Sequence, residues 1–204
     1  QAKVAPELEF FLLDPERLAA PRPQAHMPVR EALRRLAAEN ALEVASTGTA
    51  HVPNVSRAKL DDLSAARIVV EGAAAEMAAR RADAAFIGRL QQMADEHMAA
   101  ARRRDIASLL AHNQEFHFAL YRASGSVVLM QLIETLWLQF GPYLRMLTRF
   151  IEPRMHLEDA EHYAEHHIAV IEALKAKAAV AVRKHTVLDI QSTQKLLQTL
   201  CTDD

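Results

Sequence analysis

The chain has 204 residues, 50% of them apolar but only 5% aromatic, with 25% charged residues, five glycines, eight prolines and one cysteine. Scarce glycine argues against turn-rich β and α/β folds, and a lone Cys201 excludes a disulfide scaffold or a cysteine-rich zinc site and fits a reducing cytoplasm. A formal net charge of −2 excludes a globally basic coat for nucleic acid, and no apolar run approaches the ~20 residues of a membrane span.

Five of the eight prolines fall in the first 28 residues, and the stretches 54–141 and 154–204 have none. An interior proline costs a helix about 3 kcal/mol, so these two stretches suit a helical bundle. The expected organisation is a small module over 1–55 and an all-helical domain over 56–204. In the first, Pro28 stands at the start of a helix running to Asn40, with Val29, Leu33, Leu36 and Ala37 as its apolar stripe. Two short strands follow, 41–44 and 50–52, around a turn at Gly48. A helix followed by a hairpin is the back half of a winged helix-turn-helix, or else an inert linker.

In the second part a helix is expected from Arg57 to Ala82, with Leu60, Leu63, Ile68, Val69, Ala73 and Met77 near a 3.6-residue period. Asp83 and Asp105 read as N-caps of helices over 84–103 and 106–123. The basic run Arg102-Arg103-Arg104 reads as cations complementing the end of a helix. After Ser124-Gly125-Ser126 a strongly apolar helix is expected from Val127 to Phe150, bent near Gly141-Pro142. Helices over 157–176 and 179–200 complete an antiparallel bundle of about six.

The string Met27-Pro28-Val29-Arg30-Glu31-Ala32-Leu33-Arg34-Arg35-Leu36, with the Thr47-Gly48-Thr49 turn, resembles the recognition helix and wing of GntR-family transcription regulators. The helical part resembles their FCD-type effector-binding domain. The residues that carry this likeness are Asp62, Arg67 and Glu71, Asn113 with Phe116-His117, His167 ahead of Glu172-Ala173-Leu174, and His185. The resemblance covers roughly 27–200. It implies a homodimer that binds double-stranded operator DNA and responds to a small carboxylate, often through a divalent metal. On that resemblance His26, Arg30, Arg34, Thr47 and Gly48 are the expected DNA contacts. Residues 1–26 depart from it: Pro21 and Pro23 interrupt the preceding helix, and Ala25-His26 stands where Ser-Arg is usual. A reading as a small-molecule or metal sensor with a degenerate DNA-binding module therefore stays open.

Asn113 and His117, four apart on one helix, project from the same face. His167 aligns with the apolar stripe Val170, Ile171 and Leu174, and His166 is its alternative. With His185 on the last helix they form the metal-ligand set that the resemblance implies, suited to zinc first and to nickel or manganese next. An amide at Asn113, where the family often has Asp, is expected to weaken metal retention and to favour an anionic effector. The interval from His167 to His185 is about four residues shorter than the family's, so Lys175 to Ala179 must turn tightly without Gly or Pro.

Arg67 could clamp an effector carboxylate or pair with Glu71 as a surface i,i+4 neighbour. Tyr143, Arg145 and Arg149 are pocket or rim candidates. His162-Tyr163-Ala164-Glu165-His166 also fits H-x-x-E-H, the pattern of an inverted zinc peptidase. No nucleophile–base pair has a convincing setting, so catalysis is not expected.

Overall fold

The computed structural model describes residues 27–147 and 157–201, with side chains over 30–147 and 165–201. The chain divides into two compact units, Gln1–Asn54 and Val55–Asp204. His26, Arg149 and His162 lie outside the described side chains.

In the first unit, α1 runs Met27–Ala38 and precedes β1 (Glu43–Val44) and β2 (Ala50–His51). Asn40 ends the helix in the left-handed region, φ +56°. Its N–H reaches Ala37 O at 3.0 Å and the Ala41 N–H reaches Leu36 O at 2.9 Å, a Schellman closure of the last turn. The strands pair antiparallel with Glu43 opposite His51 and Val44 opposite Ala50. Gly48 has φ +82°, which a Cβ would strain, and its N–H closes the turn on Ala45 O.

In the second unit six helices are described: α2 (Arg57–Ala79), α3 (Ala84–Arg103), α4 (Ile106–Arg122), α5 (Val127–Met146), α6 (Leu157–Lys175) and α7 (Ala179–Gln198). Short polar residues start four of them. Ser56, Asp83, Asp105 and Ser126 each accept a backbone N–H from three residues on. Arg102 and Arg103 sit in the last turn of α3, where cations oppose the helix dipole, and Arg104 closes it at φ +56°. The apolar helix α5 carries Pro142 within its span.

Helix α2 packs against α4, α5 and α7, while α3 packs against α4 and α6 and α6 against α7. Gly72 permits the close approach of α2 and α7, since a Cβ there would lie 3.3 Å from Arg183 Cγ and Val187 Cγ2. The main core gathers Ala74, Ala78, Leu90, Phe116, Leu120, Ile133, Ile171 and Leu174. A second cluster, around Leu60, Leu63, Phe140, Met146 and Leu197, lies elsewhere in the bundle. Among the described residues no helix is long and apolar enough to cross a membrane.

The turn between α6 and α7 takes only residues 176–178. Lys177 adopts φ +53°, and the Ala178 N–H reaches back to Ala173 O at 2.9 Å. A lysine thus occupies a position at which helices commonly place glycine.

Candidate functional site

Three helices bring His117 (α4), His167 (α6) and Asp189 (α7) together inside the bundle. All three are buried, and their ligand atoms lie within 4.8 Å of one another. His117 Nε2 is 2.7 Å from Asp189 Oδ2, and His167 Nε2 is 3.7 Å from the same oxygen. The two imidazole Nε2 atoms are 3.3 Å apart. Phe116 stacks on the His167 ring at 4.0 Å between centroids, fixing it from one side.

His185, expected as a ligand, does not join this group. It is only half-buried, one helical turn before Asp189 on α7. The buried face of α7 carries Val182, Thr186, Asp189, Ile190 and Leu197, and that stripe puts Asp189 inward. His185 shares an i,i+4 relation with Asp189, but the short turn after α6 leaves it a turn too early to reach the group. Asp189 brings a carboxylate to the group and lines the adjoining cavity with Asn113.

The outer partners orient His117. Tyr121 donates its hydroxyl proton to Glu71 Oε2 at 2.6 Å, and its oxygen lies 3.1 Å from His117 Nδ1. With the tyrosine proton committed to Glu71, Nδ1 must be the donor to Tyr121. Nε2 then faces Asp189 either as a lone pair or with a second proton. Two acceptors cannot sit 2.7 Å apart unaided, so a proton or a cation belongs between them. Two imidazoles and one carboxylate, converging and buried, are a donor set that fits a divalent metal.

Burial pulls the Asp189 carboxyl up, but the hydrogen bond and charge of His117, with His167 and His166 beyond, outweigh it and hold the group at about 2. Burial drives His167 well below its ordinary 6.5, helped by His117 and opposed by Asp189. His97 on α3 lies beside them, its ring 4.6 Å from that of His167. It is 2% exposed, and its Nδ1 has no partner among the described residues. Burial lowers it to about 4, against the pull of Asp189. His97 was missed in the sequence, although Leu90, Ala94, His97 and Ala101 form the buried stripe of α3.

Asn113 is half-buried and lines a cavity of about 60 Å³ together with His97, Asp189 and Thr193. His166 is turned away from the group, its Nε2 3.0 Å from Ser192 Oγ, and Glu165 is exposed. Among the described residues a second cluster, Glu96, His112 and Glu115, lies at the surface.

Arg67 does pair with Glu71, but inside the protein rather than on its surface. Their relative side-chain exposures are 5% and 0%, with Nε to Oε1 at 2.6 Å. The guanidinium also lies 4.8 Å from the Trp137 ring centroid and 4.2 Å from that of Phe140. Arg67 is not among the residues lining the cavity. Tyr143 is likewise engaged elsewhere: its hydroxyl donates to Ser56 O at 3.0 Å and accepts from Ser56 N at 3.2 Å, fastening the start of α2. In the first unit Arg30, Arg34, Thr47 and Gly48 are all exposed. Arg35 pairs with Glu39 at 3.0 Å.

Residues 62–191 match the model of the FCD domain. The chain is 34% identical over 150 residues to the HTH-type transcriptional regulator McbR of Escherichia coli, covering 74% of this chain and 66% of that protein. It is 28% identical over 171 residues to the uncharacterized HTH-type transcriptional regulator BphR of Paraburkholderia xenovorans, covering 81% and 67%. The chain thus spans about two thirds of the length of these relatives. The solved structure of E. coli McbR/YncC superposes with a TM-score of 0.81 at 28% identity, over 89% of this chain and 88% of that one.

Proposed function

We propose that this chain, which belongs to the FCD-domain family of GntR-type transcription regulators, is a ligand-responsive regulator that binds operator DNA and senses a small carboxylate at a divalent metal. The observation that carries the sensing half is the buried convergence of His117, His167 and Asp189, with Asn113 lining the adjoining cavity. These four would hold the ion, zinc first by their nitrogen and oxygen donors, with manganese or nickel as the other candidates. When bound, a metal supplies a positive charge and open positions for an anionic oxygen.

The chain's own residues do the rest. Tyr121 and Glu71 hold His117 with its Nε2 toward the group. Phe116 stacks on His167 and keeps its ring in place. Because α4, α6 and α7 each contribute one of the three, a ligand that prefers one spacing of these helices shifts the bundle toward it.

The DNA-binding half rests on Arg30 and Arg34, one turn apart on α1 and exposed, followed by the hairpin with Thr47 and Gly48 at its tip. Two such modules in a homodimer would read two half-sites. Such a regulator works in the bacterial cytoplasm, on the chromosome. The test is a mobility-shift titration of the chain's own upstream DNA, at several salt concentrations, with zinc and with chelator. A specific complex with a steep salt slope, weakened for Arg34→Ala, is expected. Binding no better than to unrelated DNA would leave a metal or acid sensor without operator recognition.

A further inference from the structure

The cavity beside the metal-ligand group has two kinds of wall. Among the described residues, His97, Asn113, Asp189 and Thr193 are polar lining, and Ile106, Leu109, Leu110, Leu144, Leu147 and Leu196 are apolar. Five of the apolar six lie outside the main core, and Leu144 packs against both it and the cluster around Phe140. Ile106 and Leu109 are buried in a small cluster at the start of α4, and Leu144, Leu147 and Leu196 belong to the cluster around Phe140 and Leu197. Among the described residues no lysine or arginine lines the space. Arg67 is bound to Glu71 through two nitrogens, at 2.6 and 3.3 Å.

We propose that the effector is a short unbranched aliphatic monocarboxylate, its head at the Asn113–Asp189 end of the cavity and its hydrocarbon tail among the leucines. The proposal rests on the metal-sensing reading above. Asp189 repels an anion, so a carboxylate head needs the ion that His117, His167 and Asp189 would hold. Thr193 and His97 offer hydrogen-bonding partners to the head. Beyond them the leucines offer none.

Size narrows the class. A cavity of about 60 Å³, several times the ~10–15 Å³ that a single water needs, has room for a carboxylate head and a short tail. Each buried methylene adds about fourfold in affinity. A hydroxyl set against the leucines loses its water without replacement and lowers affinity by about tenfold or more. Among the described residues no cationic side chain lines the space to meet a second carboxylate. Acids with a hydroxyl along the tail, sugar acids and dicarboxylates are therefore poor fits.

The experiment is calorimetric titration of the full chain, zinc-loaded and chelated, with acetate, propionate, butyrate and hexanoate against 4-hydroxybutyrate, succinate and gluconate. Zinc content is measured separately in every sample. Affinity is expected to rise about fourfold per carbon to propionate or butyrate, to drop for hexanoate, and to vanish with chelator. 4-Hydroxybutyrate, succinate and gluconate are expected to bind at least tenfold more weakly than butyrate. Gluconate, 4-hydroxybutyrate or succinate matching butyrate on zinc-loaded protein overturns the inference and leaves the metal reading standing. Failure to retain zinc overturns both. Leu110→Asn, at a half-buried position, should lower butyrate affinity about tenfold relative to acetate; an unchanged ratio would overturn the placement of the tail.

Discussion

His117 Nε2 and Asp189 Oδ2 stand 2.7 Å apart inside the bundle, and the other nitrogen of His117 is already committed to Tyr121. The structure thus brings Asp189, rather than His185, beside His117. Asp189→Asn should lower zinc affinity at least about 100-fold, more than is typical for the loss of an outer partner. His185→Ala should leave it within a fewfold of the parent. Competition with a chromophoric chelator reads both, and equal losses in the two variants would remove Asp189 from the site.

Tyr121 holds two things at once. It satisfies the fully buried Glu71 and accepts from His117. Burial, followed by the charge of Glu71, keeps its hydroxyl protonated far above the ordinary 10. Tyr121→Phe keeps the ring and removes both bonds. Zinc affinity should fall about 10- to 100-fold, and the chelated protein should lose about 1–3 kcal/mol from a carboxylate short of one donor. A stability loss with unchanged zinc affinity would confine Tyr121 to Glu71.

Arg67 and Glu71 form a buried pair with aromatic rings close to the guanidinium. Removing one charge strands the other in low dielectric, so Arg67→Met should cost about 3–5 kcal/mol in urea unfolding. Combining it with Glu71→Gln should recover part of that loss, because no net charge is then left inside. A double variant less stable than the single would contradict this account.

Lys177 carries a side chain in the left-handed region, φ +53°, in an exposed three-residue turn. That conformation costs a non-glycine residue about 1–2 kcal/mol, part of which glycine gives back in the entropy of the unfolded chain. Lys177→Gly should therefore raise stability by about 0.5–1 kcal/mol, seen as a higher urea midpoint at constant slope. Lys177→Ala, which keeps a Cβ, should not.

The elements were legible because their signals are local. Ser and Asp caps, Pro-free stretches and apolar periodicity each act within a few residues, and Asp83 and Asp105 do cap α3 and α4. The inward placement of His167 rather than His166 was legible for the same reason, since His167 shares the stripe of Val170, Ile171 and Leu174 on its own helix. What failed depended on three-dimensional register. The tightness of the turn at Lys177 decides which turn of α7 faces His117, and no single helix records that. Arg67 and Glu71 look the same in sequence whether they pair at the surface or in the core. His97 meets His167 only because α3 packs on α6.

Buried neutral histidines make the metal-free protein acid-sensitive. His97 has its ordinary 6.5 in the unfolded chain and about 4 in the folded one, because burial disfavours the charged ring. Above pH 6.5 it is neutral in both states and stability does not depend on it. As pH falls from 6.5 toward 4 the unfolded chain takes up a proton that the folded chain refuses, so stability falls, by about 3 kcal/mol for this shift. Below 4 both forms are protonated and the loss levels off. His167, also lowered by burial, acts in the same direction. Asp189, lowered from 3.8 to about 2, loses its stabilising contribution only in the more acid window between those values. Urea unfolding of chelated protein between pH 7.5 and 4.5 should show this decline, and His97→Leu should flatten it by about one proton. Parallel curves for the parent and the variant would show that His97 takes up no extra proton on unfolding.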